Sequence, residues 1–89
     1  MEYKYAVVIT FSFDADVNIQ LFKEYEDAIE YLRKDFENEK RIAIEENEWE
    51  INEDLTGIQE DGSYAILAEN FTDGIDKTEW HITSNINMN

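Results

Sequence analysis

Cysteine and proline are absent from this 89-residue chain, glycine occurs three times and histidine once. Without cysteine there is neither a disulfide framework nor a thiolate zinc site. Gly57, Gly62 and Gly74 stand alone, so no glycine-rich loop precedes a helix to cradle a phosphate. His81 has only Ser12, Ser63 and Ser84 as partners for a nucleophilic triad. None of them sits in a GxSxG elbow, and HExxH is missing as well. Paired carboxylates for glycoside chemistry carry no weight in a chain this acidic, because some pair always falls at a suitable distance. No cofactor motif is present, and the sequence reads as that of a protein that is not an enzyme.

Bases are equally scarce. Seven Lys and Arg face 22 Asp and Glu, a formal net charge of −15. A phosphate backbone or an anionic membrane repels such a chain, so direct nucleic-acid binding is excluded and a macromolecular partner should be basic. The apolar runs are too short to span a membrane. The start, MEYKYAVVITF, lacks the basic flank and small-residue cleavage site of a signal peptide, which favours a cytoplasmic location.

What is present points to a folded core. Hydrophobic residues make up 43% and aromatics 13%, too much for a disordered acidic tail. The length suits one domain, residues 1–89, with the polar end 85–89 expected to fray. Ile (eleven) and Asn (eight) are abundant, a bias towards AT-rich codons that suits a low-GC genome or a mobile element within one.

Tyr3 to Phe13 alternates, with apolar or small residues on both faces, as in a central strand. After a turn at Asp14–Asp16, Val17, Ile19 and Leu21 alternate with Asn18 and Gln20. This predicts a second hairpin strand with its polar side outward. A helix follows from about Tyr25, with Tyr25, Ala28, Ile29, Leu32 and Phe36 on one stripe. Glu24, Glu26 and Asp27 complement its dipole, and Glu30–Lys34 and Glu37–Arg41 are i,i+4 pairs. Residues 40–47 admit two readings: Ala43 continues the stripe to about Glu46, while Ile42 and Ile44 equally begin a strand. The turn signals Asp61-Gly62 and Asp73-Gly74 predict strands near Leu55–Gln59, Ser63–Phe71 and Lys77–Thr83. Trp80 and Ile82 should face inward; Glu79, His81 and Thr83 should face outward. The sum is an α+β domain, β-β-α-β-β-β, with one helix across an antiparallel sheet. The aromatic face of the first strand, Tyr3, Tyr5, Phe11 and Phe13, is accounted for by core packing.

The stretch FDADVN places Asp14, Asp16 and Asn18 at alternate positions, as the first ligands of an EF-hand would stand. The loop also requires Gly at its sixth place and a bidentate Glu at its twelfth. Ile19 and Tyr25 occupy those places, and a strand-like segment precedes the loop where a helix is needed. Asp14, Asp16 and Asn18, with Asp73 and Asp76, are the candidates for a divalent cation, and a turn is the better account of the first three. No metal site is assigned.

The run EENEWEINED holds Glu45, Glu46, Glu48, Glu50, Glu53 and Asp54 with no base, interleaved with Trp49 and Ile51. One reading is a solvated loop or edge strand with Trp49 and Ile51 turned to the core. The other is an anionic contact surface anchored by Trp49. A compact chain of this length has a radius of gyration of about 12 Å and a diameter of about 30 Å. Duplex DNA of that length carries roughly 18 phosphate charges. The net −15 is comparable, as in a protein that mimics DNA.

The segments YKYAVVITFSFDADV, EYEDAIEYLRKDF and DGIDKTEWHI resemble those of small uncharacterised acidic proteins carried on conjugative elements of low-GC bacteria. The resemblance implies a mobile-element accessory protein with no assigned activity, and no functional residue carries over from it. The function expected is therefore a non-catalytic acidic binding module for a basic protein, with DNA mimicry as its sharper form. The alternative is a divalent-cation or small-ligand domain. The oligomeric state is left open.

Overall fold

The structure is a computed structural model that describes residues 3–84. The terminal segment 85–89, expected to fray, lies outside the described residues. The fold is α+β, with one helix packed on a six-stranded antiparallel sheet.

Strand β1 (Tyr5–Phe11) turns through Ser12 and Phe13 into β2 (Asp14–Phe22). Helix α1 (Tyr25–Arg41) continues into a π-helical turn, Ile42–Glu46. Two short strands, β3 (Glu50–Ile51) and β4 (Gly57–Ile58), precede the long hairpin β5 (Tyr64–Phe71) and β6 (Gly74–Ser84). The order across the sheet is β2-β1-β6-β5-β3, with β4 also pairing β5. β1 is thus central, as its two apolar faces predict. Its second neighbour is the last strand, with Tyr5 opposite Ser84 and Phe11 opposite Thr78.

The helical stripe is as expected from Ala28 onwards, while Tyr25, expected on it, is 37% exposed. Ala28, Leu32, Phe36 and Ala43 are buried, and Leu32, Val7 and Trp80 are fully enclosed. Trp80 meets Phe36 edge-on at 5.5 Å. Residues 40–46 are helical, and the capping Asn47 N–H reaches Ile42 O at 3.0 Å, one residue wider than an α turn. Glu48 then enters the left-handed region (φ 54°), so that Trp49 N–H closes the helix on Ala43 O at 2.8 Å. Glu30 and Lys34 pair at 2.9 Å, but Glu37 pairs with Arg33, and Arg41 turns instead to Asn38 and Glu46.

Several expectations need correction. Asp14–Asp16 is not the turn. Thr10 pairs with Val17 and Phe11 with Asp14, so Ala15 and Asp16 are extra residues that bulge from β2. Asp14 Oδ1 accepts the Asp16 backbone N–H at 3.0 Å, the local bond that favours Asp in irregular backbone. The sides of β2 are also reversed. Asn18 and Gln20 lie opposite Ile9 and Val7, on the helix side, while Ile19 lies opposite Val8 on the open face. Val17 and Ile19 remain 50% and 56% exposed. The strand expected at Leu55–Gln59 shrinks to Gly57–Ile58, and Glu50–Ile51 adds a strand. The shape is elongated, 45 × 24 × 21 Å, with a radius of gyration of 13.9 Å in place of about 12 Å.

Candidate functional site

The topology gathers charge at one end. The β1–β2 and β5–β6 turns share that end because β1 and β6 are antiparallel neighbours, with Phe11 opposite Thr78. Helix α1 starts beside the far end of β2 and runs back towards the same end. Asp14, Asp16 and Asp73 therefore lie towards the same end of the molecule as Glu45, Glu46, Glu48 and Glu50, all exposed, with Asp76 half-buried.

The bases answer this charge only in part, and Lys77 stands beside Ser12 of the β1–β2 turn. Arg33 and Lys34 pair with Glu37 and Glu30 within the helix, while Lys40 and Arg41 pair with Glu53 and Glu46 of the acidic run. Within the acidic run, Glu46 and Glu53 are thus partly compensated, and Glu50 accepts Asn70 Nδ2–H at 3.0 Å. Glu45, Glu48 and Asp54 have no salt-bridge partner among the described residues. Trp49 is 43% exposed and packs edge-on against Phe71 at 5.4 Å, while Ile51 joins the core. Phe13, Ile44 and Ile75 are exposed at the same pole.

The cation candidates do not assemble. Asp14 borders the bulge and Asp16 lies in it, Asn18 faces the helix, Asp73 is in a turn, and Asp76 pairs across strands with Glu69. Among the described residues no group of three or more His, Asp and Glu side chains is placed to hold a metal ion.

A groove of about 420 Å³ opens between α1 and β2. Ile9, Phe11 and Trp80 form its apolar walls, Asn18 and Gln20 line it from β2, and Asp35 and Glu39 from the helix. Trp80 Nε1–H donates to Asp35 Oδ2 at 2.9 Å. Partial burial, and then Asp35, raise the Glu39 carboxyl. Burial, then Asp35 and Glu39, raise the Tyr31 hydroxyl at the same groove. Beyond the groove Glu69 is buried at 4% exposure, and desolvation, Asp76 and Glu39 together push its carboxyl up. A line of mutually repelling carboxylates thus connects the groove to the pole. Sequence reasoning passed over this line. Its signal was Asp35 and Glu39, a like-charged i,i+4 pair bordering the apolar stripe.

The open face of the sheet carries His81, which lies against the Tyr64 ring at 4.7 Å. The Tyr64 hydroxyl donates to Glu79 at 2.5 Å, and that bond, with burial, pushes it up to about 12. His81 faces outward as expected, and none of the three serines is hydrogen-bonded to it through a side chain among the described residues.

No helix among the described residues is long and apolar enough to cross a membrane. Compared with protein-family models, curated proteins and solved structures, the chain matches none.

Proposed function

We propose that this chain is a non-catalytic acidic binding module that engages a basic protein through its acidic pole, as a cytoplasmic accessory protein of a mobile element. The observation that carries the reading is the charge asymmetry. Acids from three separate segments lie towards one end, where Lys40, Arg41 and Lys77 offset only part of the charge and Glu45, Glu48 and Asp54 have no salt-bridge partner among the described residues. Exposed Trp49, Phe13 and Ile75 supply anchors that a ring of charge would surround. DNA mimicry in the strict sense has less support. Duplex DNA as long as the 45 Å axis carries roughly 26 phosphates, and the net −15 is little more than half of that.

The test is affinity capture from a low-GC bacterial lysate with a salt gradient. The wild type should retain a basic protein that elutes as ionic strength rises. A variant with Glu45→Gln, Glu48→Gln and Asp73→Asn should lose it. The control, Glu24→Gln, Glu26→Gln and Glu60→Gln at the opposite end, removes the same charge and should keep it. Equal retention by both variants, or no basic protein on the wild type, would overturn the reading.

A further inference from the structure

We propose that the groove between α1 and β2 is a binding site for an alkylguanidinium cation, whether a free small molecule or an arginine side chain. The site is separate from the acidic pole and stands on its own observations.

The first is the cavity itself. About 420 Å³ lies within the range of organic-ligand pockets, and its floor includes the fully buried Trp80. The second is the inversion of β2. Turning Val17 and Ile19 towards the helix would have placed apolar side chains along the groove. The strand instead presents Asn18 and Gln20 to the groove and leaves both apolar side chains half-exposed. Local rules broken without a gain in packing mark functional sites. The third is the state of the polar groups. Thr78 is 7% exposed and lines the groove, and its hydroxyl bonds no other described group, so it opens onto the cavity.

The chemistry of the lining selects the ligand. Asp35, Glu39, Asn18, Gln20 and Thr78 all offer oxygen acceptors, and no Lys or Arg lines the groove. Every helical base is engaged elsewhere, so Asp35 and Glu39 are left to repel one another. A ligand rich in donors and positively charged relieves that repulsion. Guanidinium brings five N–H donors in a plane, is weakly hydrated, and stacks on aromatic faces such as Tyr31 and Phe11. A hard divalent cation needs at least six oxygens and has no use for aromatic walls. An ammonium ion would satisfy fewer of these acceptors and stack less well.

The experiment is an amide NMR titration of the full chain with methylguanidinium, with ethylammonium and sodium chloride as controls. Methylguanidinium should give saturable millimolar shifts at Asn18, Gln20, Thr78 and the Trp80 indole N–H. Ethylammonium should shift the same signals less, and sodium chloride should give no localised change. Glu39→Gln, at an exposed position that leaves the fold intact, should weaken binding by about tenfold, as for loss of one charged hydrogen bond. The pole variant Glu45→Gln, Glu48→Gln, Asp73→Asn should bind methylguanidinium as the wild type does, which separates this site from the pole. A blocked Gly-Arg-Gly peptide distinguishes the sources. Binding tighter than that of methylguanidinium points to an arginine side chain, and weaker binding to a free small molecule. Absence of localised shifts, equal shifts with ethylammonium, or undiminished binding by Glu39→Gln would each overturn the assignment.

Discussion

The Trp80 indole N–H donates to the Asp35 carboxylate at 2.9 Å, tying the centre of the sheet to the middle of the helix. The bond explains how a wholly buried indole keeps its one donor satisfied. Asp35→Asn retains an acceptor and should cost less than about 1 kcal/mol. Asp35→Leu strands the donor and should cost about 1–3 kcal/mol. Urea denaturation midpoints of the two variants, at unchanged slope, make the comparison. Equal midpoints would mean that water reaches the indole.

Leu32 is fully buried between Val7, Trp80 and the rest of the helical stripe. Leu32→Ala should destabilise by roughly 2–5 kcal/mol, through lost burial and the cavity left behind. The same substitution at half-exposed Ile19 should cost far less, although the sequence gives both residues the look of core positions.

Gly62 adopts φ 79° in the β4–β5 turn, and a Cβ there would approach Ile29 Cδ1 to 3.1 Å. Both the backbone and the contact oppose a side chain. Gly62→Ala should therefore destabilise by about 1–2 kcal/mol from the left-handed conformation alone. Thermal denaturation would show it. A neutral result would mean that the turn relaxes and Ile29 gives way.

Stability should rise as pH falls from neutral towards mildly acidic values. Glu69 and Glu39 have carboxyls raised in the fold by burial and by neighbouring acids. A raised acid binds protons more readily folded than unfolded, so its contribution is greatest below the unfolded value and is lost as pH rises through the folded one. Asp61 and Glu30 oppose this at lower pH. Ser63 lowers the first and Lys34 the second, so their stabilisation is present above the ordinary value and lost as pH falls through the lowered one. The expected profile is a maximum in mild acid, measured at constant ionic strength. Glu69→Gln should raise stability at neutral pH and flatten the rise. A profile identical to that of the wild type would mean that Glu69 is solvated.

Element type was legible wherever a pattern was long. The helix stripe through Leu32 and Phe36, the central place of β1 and the two Asp-Gly hairpins all follow from local periodicity and turn chemistry. The facing of β2 was not legible. Alternation tells which residues share a side, and only tertiary placement tells which side is covered. Here Asn18 and Gln20 take the side that faces the groove beneath α1, and Val17 and Ile19 face the uncovered side of the sheet. The acidic run was visible as composition, but Asp73 joins it through the pairing of β3 with β5, and Asp14 and Asp16 reach the same end of the sheet only through the pairing of β1 with β6. No local signal encodes a contact between segments so distant in the chain.

That pairing also sets the order in which the molecule can be assembled. β1 finds β2 across a two-residue turn, yet its other edge stays open until β6 is available. The intervening helix and three further strands must be spanned first. Closing so large a loop has an entropic cost before any contact returns it, and folds dominated by such distant pairings cross their barriers slowly. On a ribosome, Val7 and Ile9 would emerge early with their hydrogen-bonding edge bare and would wait for Trp80 and Ile82. During that interval the strong mutual repulsion of the acids keeps nascent chains from pairing with one another, so the charge that shapes the finished surface also guards its making.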